Sequence, residues 1–125
     1  MNAVIDIQNL KTYFHTERGV VKAVDDVSLK IQPGHTIGVV GESGSGKSVT
    51  SLTVMRLLAD TARIHDGTIS FLGEDLSQLS ERQMRKIRGA QIGMIFQEPM
   101  SSLNPVHKVG NQVMEAIIEH QEITK

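Results

Sequence analysis

Apolar and polar positions alternate from Ala3 to Leu10, with Val4, Ile5 and Ile7 set against Asp6 and Gln8. That period of two predicts a half-exposed strand. Tyr13 and Phe14 follow as the chain's only adjacent aromatic pair, and Glu17-Arg18-Gly19 reads as a turn. Val20 to Ile31 is a second strand or strand pair, apolar at Ala23, Val24, Val27, Leu29 and Ile31. Two strands about a turn predict an antiparallel unit, closed by a turn at Pro33-Gly34. Thr36-Ile37-Gly38-Val39-Val40 is a compact apolar, β-branched run and predicts a buried strand. Val49 to Leu58 has helical spacing, with Leu52 and Met55 on one face and Ala59 at its margin.

Asp60 to Asp66 is a polar connection with a turn at Asp66-Gly67, and Thr68 to Leu72 alternates as a strand that Gly73 stops. Ser80 is placed to N-cap a helix whose buried side is Met84 and Ile87, with Leu79 at its edge. Arg82, Arg85, Lys86 and Arg88 form its wet side, which reads as a solvated face. Gln91 to Phe96 predicts a second buried strand, ended at Gln97-Glu98-Pro99 because proline cannot continue sheet pairing. Ser101 to Pro105 is loop. Val109 to His120 returns to helical spacing, with Val109, Val113, Ala116 and Ile117 on one stripe.

Between the first buried strand and the first helix lies Gly41-Glu42-Ser43-Gly44-Ser45-Gly46-Lys47-Ser48. It fits the phosphate-binding pattern G-x-x-x-x-G-K-[ST] in the required strand–loop–helix context. Gly41, Gly44 and Gly46 permit positive φ and close approach of backbone to ligand. Successive backbone N–H groups then form an anion nest, and the helix aims its positive end at the same point. Lys47 is expected at the β- and γ-phosphates and the Ser48 hydroxyl at Mg²⁺. The alternative is a glycine-rich turn that merely precedes a lysine.

Composition narrows the classes. At 125 residues the chain has the size of one domain. A net charge of −1 gives no bulk attraction to nucleic acid or to an anionic membrane, and few aromatics argue against base stacking on an aromatic platform. The lack of cysteine excludes disulfides and thiolate metal sites within these residues. His15, His35, His65, His107 and His120 have no ligand-like spacing, so solvated histidines are expected rather than a metal site. No run is apolar enough to span a bilayer, and the cytoplasm is the expected compartment.

Four stretches together resemble the ATP-binding subunits of ABC transporters, and within them the oligopeptide/dipeptide importer group. They are Ala23-Val24-Asp25-Asp26-Val27-Ser28, the GVVGESGSGKS segment from Gly38 to Ser48, Asp66-Gly67-Thr68-Ile69, and MIFQEPMSSLNP from Met94 to Pro105. The resemblance covers essentially the whole chain. It implies an α/β fold: an ABC ATPase core of the P-loop NTPase type, incomplete, with an N-terminal antiparallel β subdomain. Residues 1–35 would be the antiparallel region, 36–97 the phosphate-loop core and 98–125 the start of the helical subdomain, all within residues 1–125 as the N-terminal part of the nucleotide-binding domain.

The resemblance also implies roles. Phe14 stands where the family stacks an aromatic on adenine, with Tyr13 as the neighbouring alternative. Gly41, Ser43, Gly44, Ser45, Gly46, Lys47, Ser48 and Val49 would bind the nucleotide. Gln97 stands where the family's glutamine reaches Mg²⁺ and the attacking water, so Ser48 and Gln97 would be the metal positions and Gln97 the catalytic one. Glu98 to Pro105 would lie near the surface facing the membrane-spanning subunits, and Glu42 and Glu98 read as loop residues rather than general bases. ATP and Mg²⁺ are the implied cofactors. Permease subunits and a second ATP-binding subunit are the implied partners, on the cytoplasmic face of the membrane.

Three family elements do not occur before Lys125: a signature of the LSGGQ type, a strand ending in the Asp and Glu that serve Mg²⁺ and water, and a later histidine. The expectation is therefore nucleotide binding without efficient hydrolysis by these residues alone. A parallel sheet also needs both faces covered, so Val39, Val40, Ile92 and Ile95 are expected to be poorly covered and the chain aggregation-prone. Two other classes remain: a non-hydrolysing regulatory module, or a small kinase or GTPase. No N-K-x-D guanine-reading element follows the loop, and nothing suggests an acceptor site.

Overall fold

The computed structural model describes residues 3–42, 44–96 and 105–120. The chain divides into two compact units, Met1–Ser80 and Glu81–Lys125. The first is organised on a four-stranded antiparallel sheet. It contains β1 (Ile5–Thr16), β2 (Gly19–Ile31), β3 (Ala62–Phe71) and the short β4 (Glu74–Asp75), in the order β2-β1-β3-β4. Helix α1 (Lys47–Met55) contacts β1 and β2.

β1 is the central strand, paired with β2 on one edge and β3 on the other. Its buried residues, Ile7, Leu10, Thr12 and Tyr13, do not keep a period of two. The cause is a set of bulges. The β1–β2 register jumps between Ile7 and Leu10, and the β1–β3 register jumps between Gln8 and Lys11. Asn9 on β1, Asp26 on β2 and Gly67 on β3 all have positive φ there, at 50°, 60° and 98°. The Asn9 side-chain amide donates to Asp26 Oδ1 at 2.8 Å, and its backbone N–H donates to Ser28 Oγ at 2.8 Å. A Cβ on Gly67 would come within 2.5 Å of the Asn9 carbonyl oxygen, so only glycine fits this crossing.

β3 begins at Ala62, six residues before the strand expected at Thr68, and the supposed polar connection of residues 60–66 mostly belongs to it. Its exposed Arg63, His65 and Asp66 gave a loop-like composition, while Ala62 is buried. Asp66-Gly67 is accordingly a bulge within the strand rather than a turn. The antiparallel sheet thus includes residues 62–75, beyond the first thirty-five. Leu72 and Gly73, both at positive φ, make the two-residue turn from β3 to β4.

α1 ends at Met55, not Leu58, because Arg56 adopts a left-handed conformation at φ 54°. The Arg56 backbone N–H reaches the Thr53 carbonyl, and Leu57 N–H reaches the Leu52 carbonyl at 2.9 Å. The Arg56 guanidinium donates to the carbonyls of Leu76 and Leu79, tying the helix end to the 3₁₀ turn Leu76–Gln78. Asp75 caps that turn. Its Oδ1 accepts from Ile69 N–H, Ser77 N–H and the Ser77 hydroxyl at 3.2, 3.0 and 2.6 Å. Burial disfavours the Asp75 carboxylate, but the Ser77 hydroxyl and the two N–H groups outweigh it and hold its pKa below the ordinary value.

α1 buries Thr53 and Met55, with Leu52 only half-buried. The Thr53 hydroxyl donates to the Val49 carbonyl at 2.6 Å. It therefore accepts from the Thr12 hydroxyl 3.0 Å away, since a hydroxyl has one proton to give. Both threonines are fully buried, so this pair joins helix to central strand with no polar group left unmatched.

Two expected strands did not form. Residues 36–42 are not in a strand, and Val39 and Val40 are exposed, Val40 at 93%. In the second unit the run from Gln91 to Phe96 forms only an isolated bridge, Arg88 to Ile92, and Ile95 is 89% exposed. A strand needs a neighbour hydrogen-bonded along its length, and neither run finds one among the described residues. The exposure of Val39, Val40 and Ile95 agrees with the expected lack of cover, whereas Ile92 is half-buried.

The second unit holds α2 (Glu81–Ile87), with Met84 and Ile87 buried as the spacing predicts, and α3 (Val109–His120). α3 buries no residue: Val109, Val113 and Ile117 of the expected stripe are exposed.

Candidate functional site

The segment Gly41–Ser48 is a tight loop that feeds directly into α1. Ser45 N–H donates to the Glu42 carbonyl at 3.0 Å, closing the turn. Gly44 and Gly46 have φ of +82° and +101°, which side chains resist. Ser43 lies outside the described residues. Gly46 has a second constraint: a Cβ there would sit 2.6 Å from the Ala23 carbonyl oxygen. Ala23 is an extra residue in β2, where the register passes from Thr12↔Val24 to Tyr13↔Lys22. The last loop glycine thus packs on a bulge of the antiparallel sheet.

This geometry leaves the start of α1 open to an anion. Its N-cap is Gly46, with no side-chain cap and no acidic residue in the first turn. The first N–H groups of a helix have no intrahelical acceptor, and here no carboxylate takes that role. The Thr50 N–H and hydroxyl both go back to the Gly46 carbonyl, at 2.9 and 2.7 Å, fixing the loop-to-helix junction.

Lys47 curls over the same loop. Its ammonium donates to the carbonyls of Gly41 and Glu42 and to Ser45 Oγ, the last two at 2.9 and 3.3 Å. Three acceptors use all three of its protons, so the cation is held at the mouth of the cradle. A Cβ on Gly41 would fall 2.5 Å from Ser45 Oγ, so a side chain there would displace the Ser45 hydroxyl from its place beside Lys47. The exposed Ser48 is in the first turn, and Val49 follows half-buried. Glu42 contributes its backbone carbonyl to the loop.

Of the two aromatics, Tyr13 is committed elsewhere. Its hydroxyl donates to Asp25 Oδ1 at 2.9 Å, its ring stacks on His65 with centroids 4.5 Å apart, and the Lys22 ammonium lies 5.6 Å from the ring centre. Burial, then the Asp25 hydrogen bond and charge, push its pKa above the ordinary tyrosine value. Phe14 is half-buried and stands opposite Val21 and Ala62. His65 is exposed, as expected of a surface histidine, and stacks on the Tyr13 ring. Gln97 and Glu98 lie outside the described residues, as do Ser101 to Asn104.

The sequence reading missed three supports of the site: the Ala23 bulge, the Thr12–Thr53 hydroxyl pair and the Arg56 cap. Two buried threonines on the inner faces of a strand and a helix were the available signal for the pair. A backbone carbonyl contact such as Ala23 to Gly46 has no side-chain signature.

An uncapped helix N-terminus, a glycine loop of positive φ and a lysine folded over it define the α/β phosphate-loop class of nucleotide-binding folds. The chain belongs to the ABC transporter family, whose sequence profile, described as "ABC transporter", matches residues 24–124. It is 50% identical over 123 residues to the probable D,D-dipeptide transport ATP-binding protein DdpD of Escherichia coli K12, covering 98% of this chain and 38% of that protein. It is 48% identical over 126 residues to the dipeptide transport ATP-binding protein DppD of Bacillus subtilis, covering 100% of this chain and 38% of that one. A probable peptide ABC transporter ATP-binding protein of Sinorhizobium fredii is 46% identical over 123 residues, with 98% and 37% covered. The chain thus spans well under half the length of these curated relatives. Its fold matches the dimeric structure of a bacterial ABC transporter cassette with a TM-score of 0.81 at 23% identity, over 97% of this chain and 50% of that one. A cassette in a post-hydrolysis state bound to ADP and phosphate gives 0.82 at 22% identity, with the same coverage.

Proposed function

We propose that these residues form the ATP-binding part of the ATP-binding subunit of an importer for peptides or related solutes. The observation that carries this reading is the cradle at Gly41–Ser48: an uncapped helix start, two glycines at positive φ, and the Lys47 ammonium held on the loop carbonyls. The names of the relatives support the solute class.

The residues present suit a magnesium–triphosphate. The open N–H groups at the start of α1 suit phosphate oxygens. Lys47 can exchange a loop carbonyl for a phosphate oxygen without moving far. Ser48, exposed in the first turn, and Gln97 would hold Mg²⁺, and Phe14 would take the adenine. Bound Mg²⁺ would neutralise charge on the β- and γ-phosphate oxygens. Hydrolysis belongs to the longer subunit, coupled to uptake through permease subunits and a second ATP-binding subunit at the cytoplasmic face of the membrane. No helix among the described residues is long and apolar enough to cross a membrane.

The test is binding of a fluorescent ATP analogue with Mg²⁺ to the chain and to Lys47→Ala, with phosphate release followed in the same sample. Binding that the substitution weakens at least tenfold, without steady turnover, is the expected result. Equal binding by both proteins refutes the cradle. Lysine-dependent steady turnover refutes the assignment of hydrolysis to the longer subunit.

A further inference from the structure

The exposed face of α2 is basic in an unusual way. Arg82, Arg85 and Lys86 are spaced i, i+3 and i+4, so they share one side of the helix, opposite the buried Met84 and Ile87. All three are exposed, and none makes an ion pair among the described residues. The only acid from residue 81 to 96 is Glu81, and it is engaged by Arg88, whose guanidinium lies 2.6 Å from its carboxylate. Like charges at this spacing repel, and Glu81 is the one acid on the helix. The chain as a whole carries a charge of −1, so this is a local feature and not a reflection of a basic protein.

We propose that this face docks on the anionic headgroups of a phospholipid surface. Charge complementarity requires a negative partner. The cytoplasmic loops of membrane-spanning proteins are enriched in Lys and Arg, so they are poor partners for a basic face, whereas the cytoplasmic leaflet is negative. Each basic residue near such a leaflet strengthens binding about fivefold, so three together give about a hundredfold. The attraction is long-ranged only at low salt. The inference rests on the proposed place at the cytoplasmic face of a membrane, and not on nucleotide binding.

The experiment is co-sedimentation of the whole chain with vesicles of phosphatidylcholine alone or with about one-third phosphatidylglycerol. Binding to the anionic vesicles only, weakened by salt, is expected. Arg82→Gln/Arg85→Gln/Lys86→Gln should lower it about a hundredfold. A control with the same charge change at exposed sites elsewhere, Arg18→Gln/Arg63→Gln/Lys108→Gln, should largely keep it, and Lys47→Ala should leave it unchanged. Circular dichroism checks that the triple variant folds. If it does not, Lys86→Gln alone should lower binding about fivefold. No binding to anionic vesicles, an equal loss in the control, or capture of poly-glutamate in preference to vesicles would overturn the proposal.

Discussion

β1 and the run Thr36–Val40 are both rich in branched apolar residues, yet their fates differ. β1 is hydrogen-bonded along both edges and places Ile7 and Leu10 out of solvent. Thr36–Val40 has no sheet partner among the described residues and leaves Val39 and Val40 exposed. Composition states a preference for burial. Only a neighbouring strand satisfies the backbone groups that must be buried along with the side chains. The phosphate loop is instead held by its other flank, through Gly46 on Ala23 and Thr53 on Thr12.

Core truncation should show this difference most strongly. Leu10→Ala should cost about 2–5 kcal/mol of unfolding free energy in urea titration, while Val40→Ala should change it by less than about 0.5 kcal/mol. Equal losses at the two positions would mean that the apolar run is covered after all. Next in size is the hydroxyl pair. Thr53→Val should cost about 1–3 kcal/mol by stranding the buried Thr12 hydroxyl. The double variant Thr12→Val/Thr53→Val should cost less than the two single losses summed, and strict additivity would show that the hydroxyls do not cooperate.

A smaller loss than at Leu10 or Thr53 is expected at Asp75, at the far edge of the same sheet. Its pKa is lowered in the folded state, so its contribution is complete above the unfolded carboxylate value and is lost as pH falls through the folded one. Asp75→Ala should cost about 0.5–2 kcal/mol at neutral pH. Thermal melts of wild type and variant should converge as the solution is acidified. A gap that stays constant through acid would show that the cap acts by shape rather than by charge.

The glycine loop was legible because each of its residues has a chemical reason visible in a one-dimensional pattern. β1 and β2 were legible as strands, but β1 and β3 proved longer than expected. The bulges at Asn9, Asp26 and Gly67 break the alternation on which the reading depends. The end of α1 was misplaced because Arg56 takes a left-handed conformation usually marked by glycine. The engagement of Tyr13 by Asp25 and His65 had no sequence signal, because those partners meet it only in space.

The three left-handed residues that cross the sheet at one level act like the teeth of a zip. A strand that slid by one position would set Leu10 against the wrong partner and drive a side chain into the slot that only Gly67 fits. Mispaired registers are thereby excluded by collision as well as by loss of contacts. The native sheet thus has one alignment of these strands that its backbone admits.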